Sequence, residues 1–400
     1  MSFSALAPSE ILDDCPIAEF ACMTTHAREP NKEPVLPGRA LELAGRHLGI
    51  PADQIVLTRL AGDASSRAYF RAMLGGSAPS NHNSHDPSVI IALYPAPFDA
   101  SETAAARLAR SEAADPALRL TFANDPCAHL ETTRLFLDAG LPVPGVIGVE
   151  GSERVMLIQE VGDCKLQDWL GQSSPDEKAE AYRNAIELIV RIQELTGIVL
   201  TSESICSKLA FDEAKLKWEL DFFFKNHFDR HLAVDLTPEC RQAVDNEFTE
   251  LCREMAALPR VLVHRDYHAR NLMMRDGKIF IIDHQDARMG PESYDLVSLI
   301  ADPYAGIEQD LARKLVEHFV ELKAASRLPL SSVERFRDGL ELATVQRMLK
   351  AVGTYSSQAA LHGNPVYLPF IAPAVKSALA AIRRINRFQT LQRLLVDTTQ

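Results

Sequence analysis

The stretch Val261-Leu-Val-His-Arg-Asp-Tyr-His-Ala-Arg-Asn-Leu-Met-Met-Arg-Asp-Gly-Lys-Ile-Phe-Ile-Ile-Asp283 decides how the rest of the chain is interpreted. A short apolar run leads into a cluster of polar residues, and a second apolar run returns from a turn and ends at an aspartate. The pair Asp276-Gly277 predicts a tight hairpin, because both residues tolerate the positive φ of such turns. Buried strands rarely end in unpaired acids, so this pattern indicates a functional site.

The predicted hairpin brings three polar residues to one place. Asn271 lies almost opposite Ile282, and Asp283 is the next residue along the strand. Cross-strand neighbours lie about 5–8 Å apart. Oxygen ligands suit Mg²⁺, so Asn271 and Asp283 are candidate ligands of one such cation. Asp266 would face the same place from the loop.

Short strands occupy the first third of the chain, and helical patterns occupy most of the remainder. The strand-like runs cover 55–60, 68–74, 89–94 and 155–158. Helices are predicted over 37–48, 125–138, 174–196, 211–228, 237–257, 308–325, 331–352 and 367–388. This order predicts an α+β chain with a small β-rich lobe and a larger, mainly helical lobe.

Composition limits the possible functions. The chain has 400 residues, of which 46% are hydrophobic and 24% are charged, as in ordinary globular enzymes. A net charge of −12 argues against non-specific binding to nucleic acid or to an anionic membrane. We expect no apolar run long enough to span a membrane and no signal peptide, hence a cytoplasmic protein, and no obligatory protein partner is evident.

Cysteines and histidines do not indicate a structural metal site. The seven cysteines are scattered and form no C-x-x-C pair, which favours reduced thiols. His82, His85 and Asp86 lie in a loop-like sequence. His227 and His231 have helical spacing but lack the glutamate of an H-E-x-x-H site. We interpret both groups as solvated surface.

The segment resembles the catalytic loop of protein-kinase-like phosphotransferases. His264-Arg265-Asp266-x-x-x-x-Asn271 matches H-R-D-x-x-x-x-N, and Asp283 stands at the position of the aspartate of D-F-G. The resemblance implies that Asp266 is the catalytic base and that Asn271 and Asp283 hold the Mg²⁺ of bound ATP. It implies structural roles for His264 and Arg265.

The sequence that follows is similar to the aminoglycoside phosphotransferase/choline kinase family. Asp283 is followed by a glycine and by Asp295-Leu in the spacing typical of that family, with no A-P-E motif or long activation segment. The resemblance implies a bilobal protein-kinase-like fold. It implies that Asp295 anchors the catalytic loop from the start of a helix, and it allows Asp286 a substrate-side role.

Further motifs resemble one branch of this family, the bacterial kinases that phosphorylate the anomeric hydroxyl of N-acetylmuramate and N-acetylglucosamine in cell-wall recycling. The motifs are G-D-A-S-x-R at 62–67, D-x-Q-D-A-x-x-G-P at 283–291 and Q-R-x-L-K-x-x-G at 346–353. The first replaces the glycine-rich phosphate loop, so ATP contacts are expected from Gly62, Asp63, Ser65, Ser66 and Arg67. Adenine is expected beside Glu160 and Val161. The resemblance covers about 38–390 and predicts a tail at 1–37, an N-lobe at 38–158, a hinge at 159–162 and a C-lobe at 163–395.

The chain departs from protein kinases at two points. The third strand lacks the phosphate-binding lysine, so Arg67, Arg71 or magnesium must take over its part, and Glu131 lacks that lysine as a partner. Two positions after Asp266, His268 stands where serine/threonine kinases have a lysine. Arg270 is therefore the predicted catalytic cation that neutralises the transferred phosphoryl group.

The acceptor is less sharply defined. Sugar hydroxyls favour fixed carboxylates and amides, and N-acetylmuramate adds a carboxylate that needs a cation. The candidates are Glu219, Asp221, His268, Asp286, Gln346, Arg347 and Lys350. Two alternatives stay open: an aminoglycoside, choline or another amino alcohol as acceptor, and a pseudokinase that only binds nucleotide. The intact Asp266, Asn271 and Asp283 argue against the second.

Overall fold

The computed structural model describes residues 36–60, 67–75, 88–114 and 125–398, and these residues divide into two compact units. The first contains the described residues up to Phe98 together with Ile147–Ile158, and the second contains those of Asp99–Val146 and of Gln159–Gln400. The segment at 99–146, which the sequence assigns to the small lobe, therefore groups with the larger unit. The predicted lobe boundaries and hinge stay predictions.

The first unit is built on a five-stranded sheet in the order β1-β2-β3-β5-β4. The strands are β1 (Ile55–Arg59), β2 (Ala68–Leu74), β3 (Ser88–Leu93), β4 (Val146–Glu150) and β5 (Val155–Gln159). Helix α1 (Gly38–Leu48) packs its small residues Ala40 and Ala44 into the apolar core of this unit. These residues are one turn apart, so they lie on the same face of the helix.

The second unit is mainly helical. Its helices before residue 260 are α2 (Ala104–Ala114), α3 (Pro126–Asp138), α4 (Leu166–Gln172), α5 (Pro175–Glu194), α6 (Thr196–Thr201), α7 (Ile205–Lys208), α8 (Glu213–Phe224) and α9 (Pro238–Ala256). The predicted caps at Ser174 and Thr237 are confirmed, since each hydroxyl accepts a backbone N–H of the first turn. A π-helical turn over Lys225–His231 extends α8.

Two small two-stranded sheets follow α9. Strand β6 (Arg260–Val263) pairs with β9 (Arg288–Pro291), and β7 (Leu272–Arg275) pairs with β8 (Lys278–Ile281). The predicted hairpin is confirmed: Asp276 and Gly277 form its turn with φ of 50° and 71°. The chain closes with α10 (Tyr294–Ile300), α11 (Gln309–Ala325), α12 (Val333–His362), α13 (Ile371–Ile385) and α14 (Gln389–Asp397).

The 30-residue helix α12 runs through the core of this unit, where α8, α10 and α13 pack against it. Among the described residues, one segment, Pro365–Ile385, is long and apolar enough to cross a membrane by length and composition. This corrects the expectation that no apolar run reaches such a length. Its apolar residues Ala374, Val375 and Leu379 belong to the core around α12.

Candidate active site

Two carboxylates fix the loop between β6 and β7 by accepting hydrogen bonds from its backbone. Asp295, in the first turn of α10, accepts the backbone N–H groups of His264 at 2.7 Å and Arg265 at 3.0 Å. Asp302 accepts the N–H of Ala269 at 2.9 Å. The loop is held in a conformation that includes a φ of 83° at Arg265, which a residue with a side chain adopts only when its surroundings impose it. Asp295 thus makes the contacts expected of an anchor, while sequence reasoning missed Asp302.

The loop is also bonded to the end of the hairpin. His264 Nε2 pairs with the carbonyl of Ile282 at 3.0 Å, and the N–H of Ile282 donates to the carbonyl of Asn271 at 3.0 Å. Asn271 Nδ2 donates to the carbonyl of Asp266, also at 3.0 Å. These bonds hold Asp266, Asn271 and the residue before Asp283 in one fixed group.

Asn271 and Asp283 fit a hard cation. The amide nitrogen of Asn271 is bound to the protein, so its other end, the oxygen, is the end with ligand chemistry. Asp283 is exposed with a φ of 61°, and Gln285 Nε2 orients its carboxylate by donating to Oδ1 at 2.8 Å. No group of three or more His, Cys, Asp or Glu able to hold a metal occurs in the part of the chain that the structure describes. Two protein oxygens completed by phosphate oxygens and water are how Mg²⁺ is usually bound.

His284, the residue after Asp283, connects the end of the hairpin to helix α3 through its side chain. His284 is buried, and its Nε2 hydrogen bonds with Oγ1 of Thr133 at 2.7 Å. Its ring also meets the ring of His129 edge to face, with centroids 5.4 Å apart. Glu131, on the same helix, accepts the backbone N–H of Ile205 at 2.6 Å and so caps α7.

Asp266 is surrounded by cations. Lys350 Nζ lies 2.8 Å from Oδ1, and Arg347 Nη2 lies 3.3 Å from the same oxygen. Arg265 Nε lies 3.7 Å from Oδ2. Burial alone would raise the pKa of Asp266, but the charges of Lys350, Arg265 and Arg347 outweigh it and hold the pKa well below its usual value. Asp266 is therefore ionised at neutral pH, as a general base must be.

A second anion, Glu219, lies behind the loop. Its carboxylate accepts from Gln346 Nε2 at 2.8 Å and pairs with Arg265 at 3.3 Å and with Lys215 at 3.4 Å. Burial opposes ionisation of Glu219, yet the charges of Lys215, Lys350 and Arg265 bring its pKa to about 2. Glu219 thus holds Arg265, one of the cations that contact Asp266, and Gln346 orients Glu219.

Asp286 has a comparable place. Its carboxylate contacts the guanidinium groups of both Arg265 and Arg288, and all three side chains are largely buried. Of the seven predicted acceptor residues, the structure therefore brings Glu219, Asp286, Gln346, Arg347 and Lys350 into one network that includes Asp266.

Of the other two acceptor candidates, Asp221 lies outside this network, whereas the backbone N–H of His268 donates to the carbonyl of Asp266 at 3.0 Å. Asp221 Oδ1 pairs with Lys217 at 2.5 Å, and Lys217 also contacts Asp245 on α9 at 2.6 Å, as in a surface ion pair. His268 packs edge to face on Tyr304, with centroids 5.7 Å apart. Burial lowers the pKa of His268 to about 3, assisted by the charge of Arg347, so its ring is neutral.

Arg270 lies at an aromatic cluster. Its guanidinium stands 4.6 Å from the ring centroid of Tyr304 and 5.5 Å from that of Tyr367. Tyr355 and Phe370 complete the cluster. The two side chains that contact Asp266 most closely are instead Lys350 and Arg347 of α12, whose spacing in the Q-R-x-L-K motif was the signal available in the sequence.

The predicted nucleotide-binding residues are only partly described. Gly62, Asp63, Ser65 and Ser66 lie outside the described residues. Arg67 is buried, with its guanidinium 5.6 Å from the ring of Tyr69. The carbonyl of Glu160 accepts from Arg275 Nη1 at 2.7 Å, and Val161 is buried.

The histidines proposed as surface need one correction. His85 and its neighbours at 82–86 lie outside the described residues. His227 is buried rather than solvated: its Nδ1 bonds Ser356 Oγ at 2.8 Å and its ring stacks on Phe223. The apolar stripe of α8 continues into the π-helical turn and carries His227 into the core with it.

Comparison with known proteins places these features in context. The model of the Phosphotransferase enzyme family (APH) matches residues 56–327, more than half of the chain. A protein of Pseudomonas aeruginosa named N-acetylmuramate/N-acetylglucosamine kinase is 28% identical over 269 residues, covering 66% of this chain and 76% of the relative. A protein of Neisseria meningitidis with the same name is 29% identical over 257 residues, covering 64% and 75%.

The fold has solved counterparts. The structure of a choline kinase from Cryptosporidium parvum matches with a TM-score of 0.55 at 10% identity, covering 90% of this chain and 98% of that one. At this identity the likeness concerns the fold alone. The bilobal, protein-kinase-like α+β fold predicted from the sequence is confirmed.

Proposed function

Because the chain belongs to the Phosphotransferase enzyme family, a family of kinases with hydroxyl acceptors, we propose that it phosphorylates the anomeric hydroxyl of N-acetylmuramate or N-acetylglucosamine with ATP. It is a kinase, and its named relatives support a sugar as acceptor. The proposal places the protein in the reuse of cell-wall sugars.

The observation that carries the proposal is the state of Asp266. A carboxylate that contacts three cations and stands on a loop fixed by Asp295 is both ionised and oriented. General bases need both properties, because proton transfer depends on geometry first and on pKa second. Asp266 is therefore the proposed base.

The phosphoryl group passes directly from ATP to the acceptor, without a phosphorylated enzyme intermediate. The acceptor oxygen forms a bond to the γ-phosphorus of ATP, the bond from that phosphorus to the β,γ-bridging oxygen breaks, and ADP leaves with the electron pair. The hydroxyl proton goes to Asp266. When bound, Mg²⁺ neutralises charge on the phosphates, and Asn271 and Asp283 are the residues that would hold it.

An ADP-release assay over six acceptors tests the proposal. The panel is N-acetylmuramate, N-acetylglucosamine, glucosamine, galactose, choline and kanamycin, with the Asp266→Asn variant as background. We expect turnover with the two N-acetylated sugars and a sugar phosphate that acid hydrolyses readily, as an anomeric phosphate does. Turnover only with kanamycin or choline would show that the acceptor is an aminoglycoside or an amino alcohol and not an N-acetylated sugar. ATP binding without turnover on any of the six would mean that the protein binds the nucleotide without transferring its phosphate.

A further inference from the structure

Helix α12 delivers two cations to a carboxylate far away in sequence. Lys350 and Asp266 are 84 residues apart, yet Nζ lies 2.8 Å from Oδ1. Arg347, one turn earlier, contacts the same oxygen and is itself held by Ser298, whose Oγ accepts from Nε at 2.9 Å. Residues three apart share one face of a helix, so Arg347 and Lys350 lie on the face of α12 that is next to Asp266.

Close packing against α8 fixes the position of this face of α12. A Cβ added at Gly353 would lie 2.6 Å from the Cα of Phe223 on α8, so α12 approaches α8 at the backbone. Gln346 anchors the same helix by donating to Glu219 of α8. Gln346 and Gly353 of the Q-R-x-L-K-x-x-G motif thus fix α12 against α8, and Lys350 lies one turn before the contact at Gly353.

Within the loop, Arg265 is the cation that contacts Asp266, and its Nε lies 3.7 Å from Oδ2, farther than either cation of α12. Two positions after Asp266 stands the neutral His268, packed on Tyr304. Four positions after it stands Arg270, whose guanidinium lies over the rings of Tyr304 and Tyr367. Among the cations that contact Asp266, Lys350 lies nearest.

We propose that Lys350 is a positioning residue of the transfer reaction, whose ammonium group holds the Asp266 carboxylate in the orientation that takes the acceptor's proton. This assignment rests on the proposed function only in taking Asp266 as the base. It replaces the expectation that Lys350 binds the acceptor, because a direct contact to Asp266 already uses its charge.

Steady-state kinetics of Lys350→Met and Lys350→Arg test the proposal. We expect Lys350→Met to lower kcat by about 100-fold, the usual effect of losing one preorganised charge contact, with KM for ATP and acceptor within about threefold. Arginine keeps the charge, so Lys350→Arg should recover at least about tenfold of the loss. Lys376→Met, which removes an exposed lysine of α13, is the matched control and should behave as the wild type.

Two results would overturn the proposal: a raised KM for the acceptor at unchanged kcat, which marks a substrate contact, or an arginine variant no better than methionine. Thermal melting and ATP titration are run on each variant. If Lys350→Met does not fold, Lys350→Gln and Lys350→Arg are compared, and equal kcat values would refute the role of charge.

The acceptor used is whichever one the wild type turns over. Failure of the two N-acetylated sugars would refute the proposed substrate but leave the comparison of variants intact on another acceptor, or on hydrolysis of ATP by water. A wild type that neither transfers nor hydrolyses would refute the role of Lys350 together with that of Asp266.

Discussion

Gly353 of α12 lies against the backbone of Phe223 on α8, so close that a Cβ at position 353 would stand 2.6 Å from the Cα of Phe223. This contact sets the distance between the helix that carries Lys350 and the helix that carries Glu219. The charges around Asp266 therefore depend on a residue that touches none of them.

We expect Gly353→Ala to push α12 away from α8 and to lower the free energy of unfolding by about 1–3 kcal/mol, as overpacked cores do. Because Lys350 moves with the helix, kcat should fall more than KM changes. Thermal melting and kinetics measure both effects. Gly197→Ala is the control, since α6 has open space at that exposed glycine. An active, fully stable Gly353→Ala variant would contradict this account of the contact.

Replacing Asp266 by Asn should lower kcat by about 100- to 10,000-fold, because the amide cannot accept the hydroxyl proton. ATP affinity, measured by titration calorimetry, should stay near that of the wild type. Asp221→Asn removes a carboxylate from a surface pair and serves as the comparison. Equal losses of turnover and of ATP affinity would remove Asp266 from the role of base.

Asp283→Asn should weaken binding of Mg·ATP by at least about tenfold, since loss even of a group next to a metal ligand has that effect. Asparagine is chosen because it tolerates the φ of 61° at this position. Asp276→Asn, in the exposed hairpin turn with a φ of 50°, makes the same chemical change at a similar backbone angle. The two variants are titrated with ATP at several Mg²⁺ concentrations. Equal affinities would place the metal elsewhere.

His227 should make the protein sensitive to mild acid. Burial lowers the pKa of His227 to about 4, whereas in the unfolded chain it has its ordinary value of 6.5. Between pH 6.5 and 4 the unfolded state binds more protons, so stability falls as pH is lowered through this window, by up to about 3 kcal/mol.

His227→Asn keeps a polar group near Ser356 but cannot take up that proton. Urea unfolding curves at several pH values should therefore show a smaller loss of stability between pH 6.5 and 4 in the variant than in the wild type. His362→Asn, which changes an exposed histidine at the end of α12, provides the comparison. Parallel pH profiles for the wild type and His227→Asn would show that another group causes the loss.

Local patterns in the sequence were sufficient for the catalytic segment. The hairpin follows from Asp276-Gly277, and the positions of Asn271 and Asp283 follow from the hairpin, because each determinant acts within a few residues. The helix caps at Ser174 and Thr237 are equally local. Their identification needs no knowledge of what packs against them.

Long-range partners could not be read in the same way. From the sequence, Glu219 and Asp221 are both candidates for binding the acceptor, although side chains two positions apart on a helix point in different directions. Helical spacing from the buried Leu216 and Phe223 would have placed Glu219, and not Asp221, on the core face. Asp302 carried no such signal, since its partner Ala269 lies 33 residues away.

Strand β9 also escaped prediction. Its residues Arg288–Pro291 include a glycine and a proline and show no alternation, so nothing local favours a strand. It forms because β6 offers an open edge and because Gly290 fits against Phe211 and Val263, where a Cβ would lie 2.8 Å from each side chain.

Glu131 has a consequence for control of the enzyme. In regulated protein kinases the glutamate of the corresponding helix moves toward or away from a strand lysine, and this movement turns activity on and off. Here β3 carries no lysine, and Glu131 is committed to the N–H of Ile205 within its own unit. Strand β3, as the structure describes it, thus offers Glu131 no lysine to move toward. We therefore expect turnover by this kinase not to depend on movement of that glutamate toward a strand lysine.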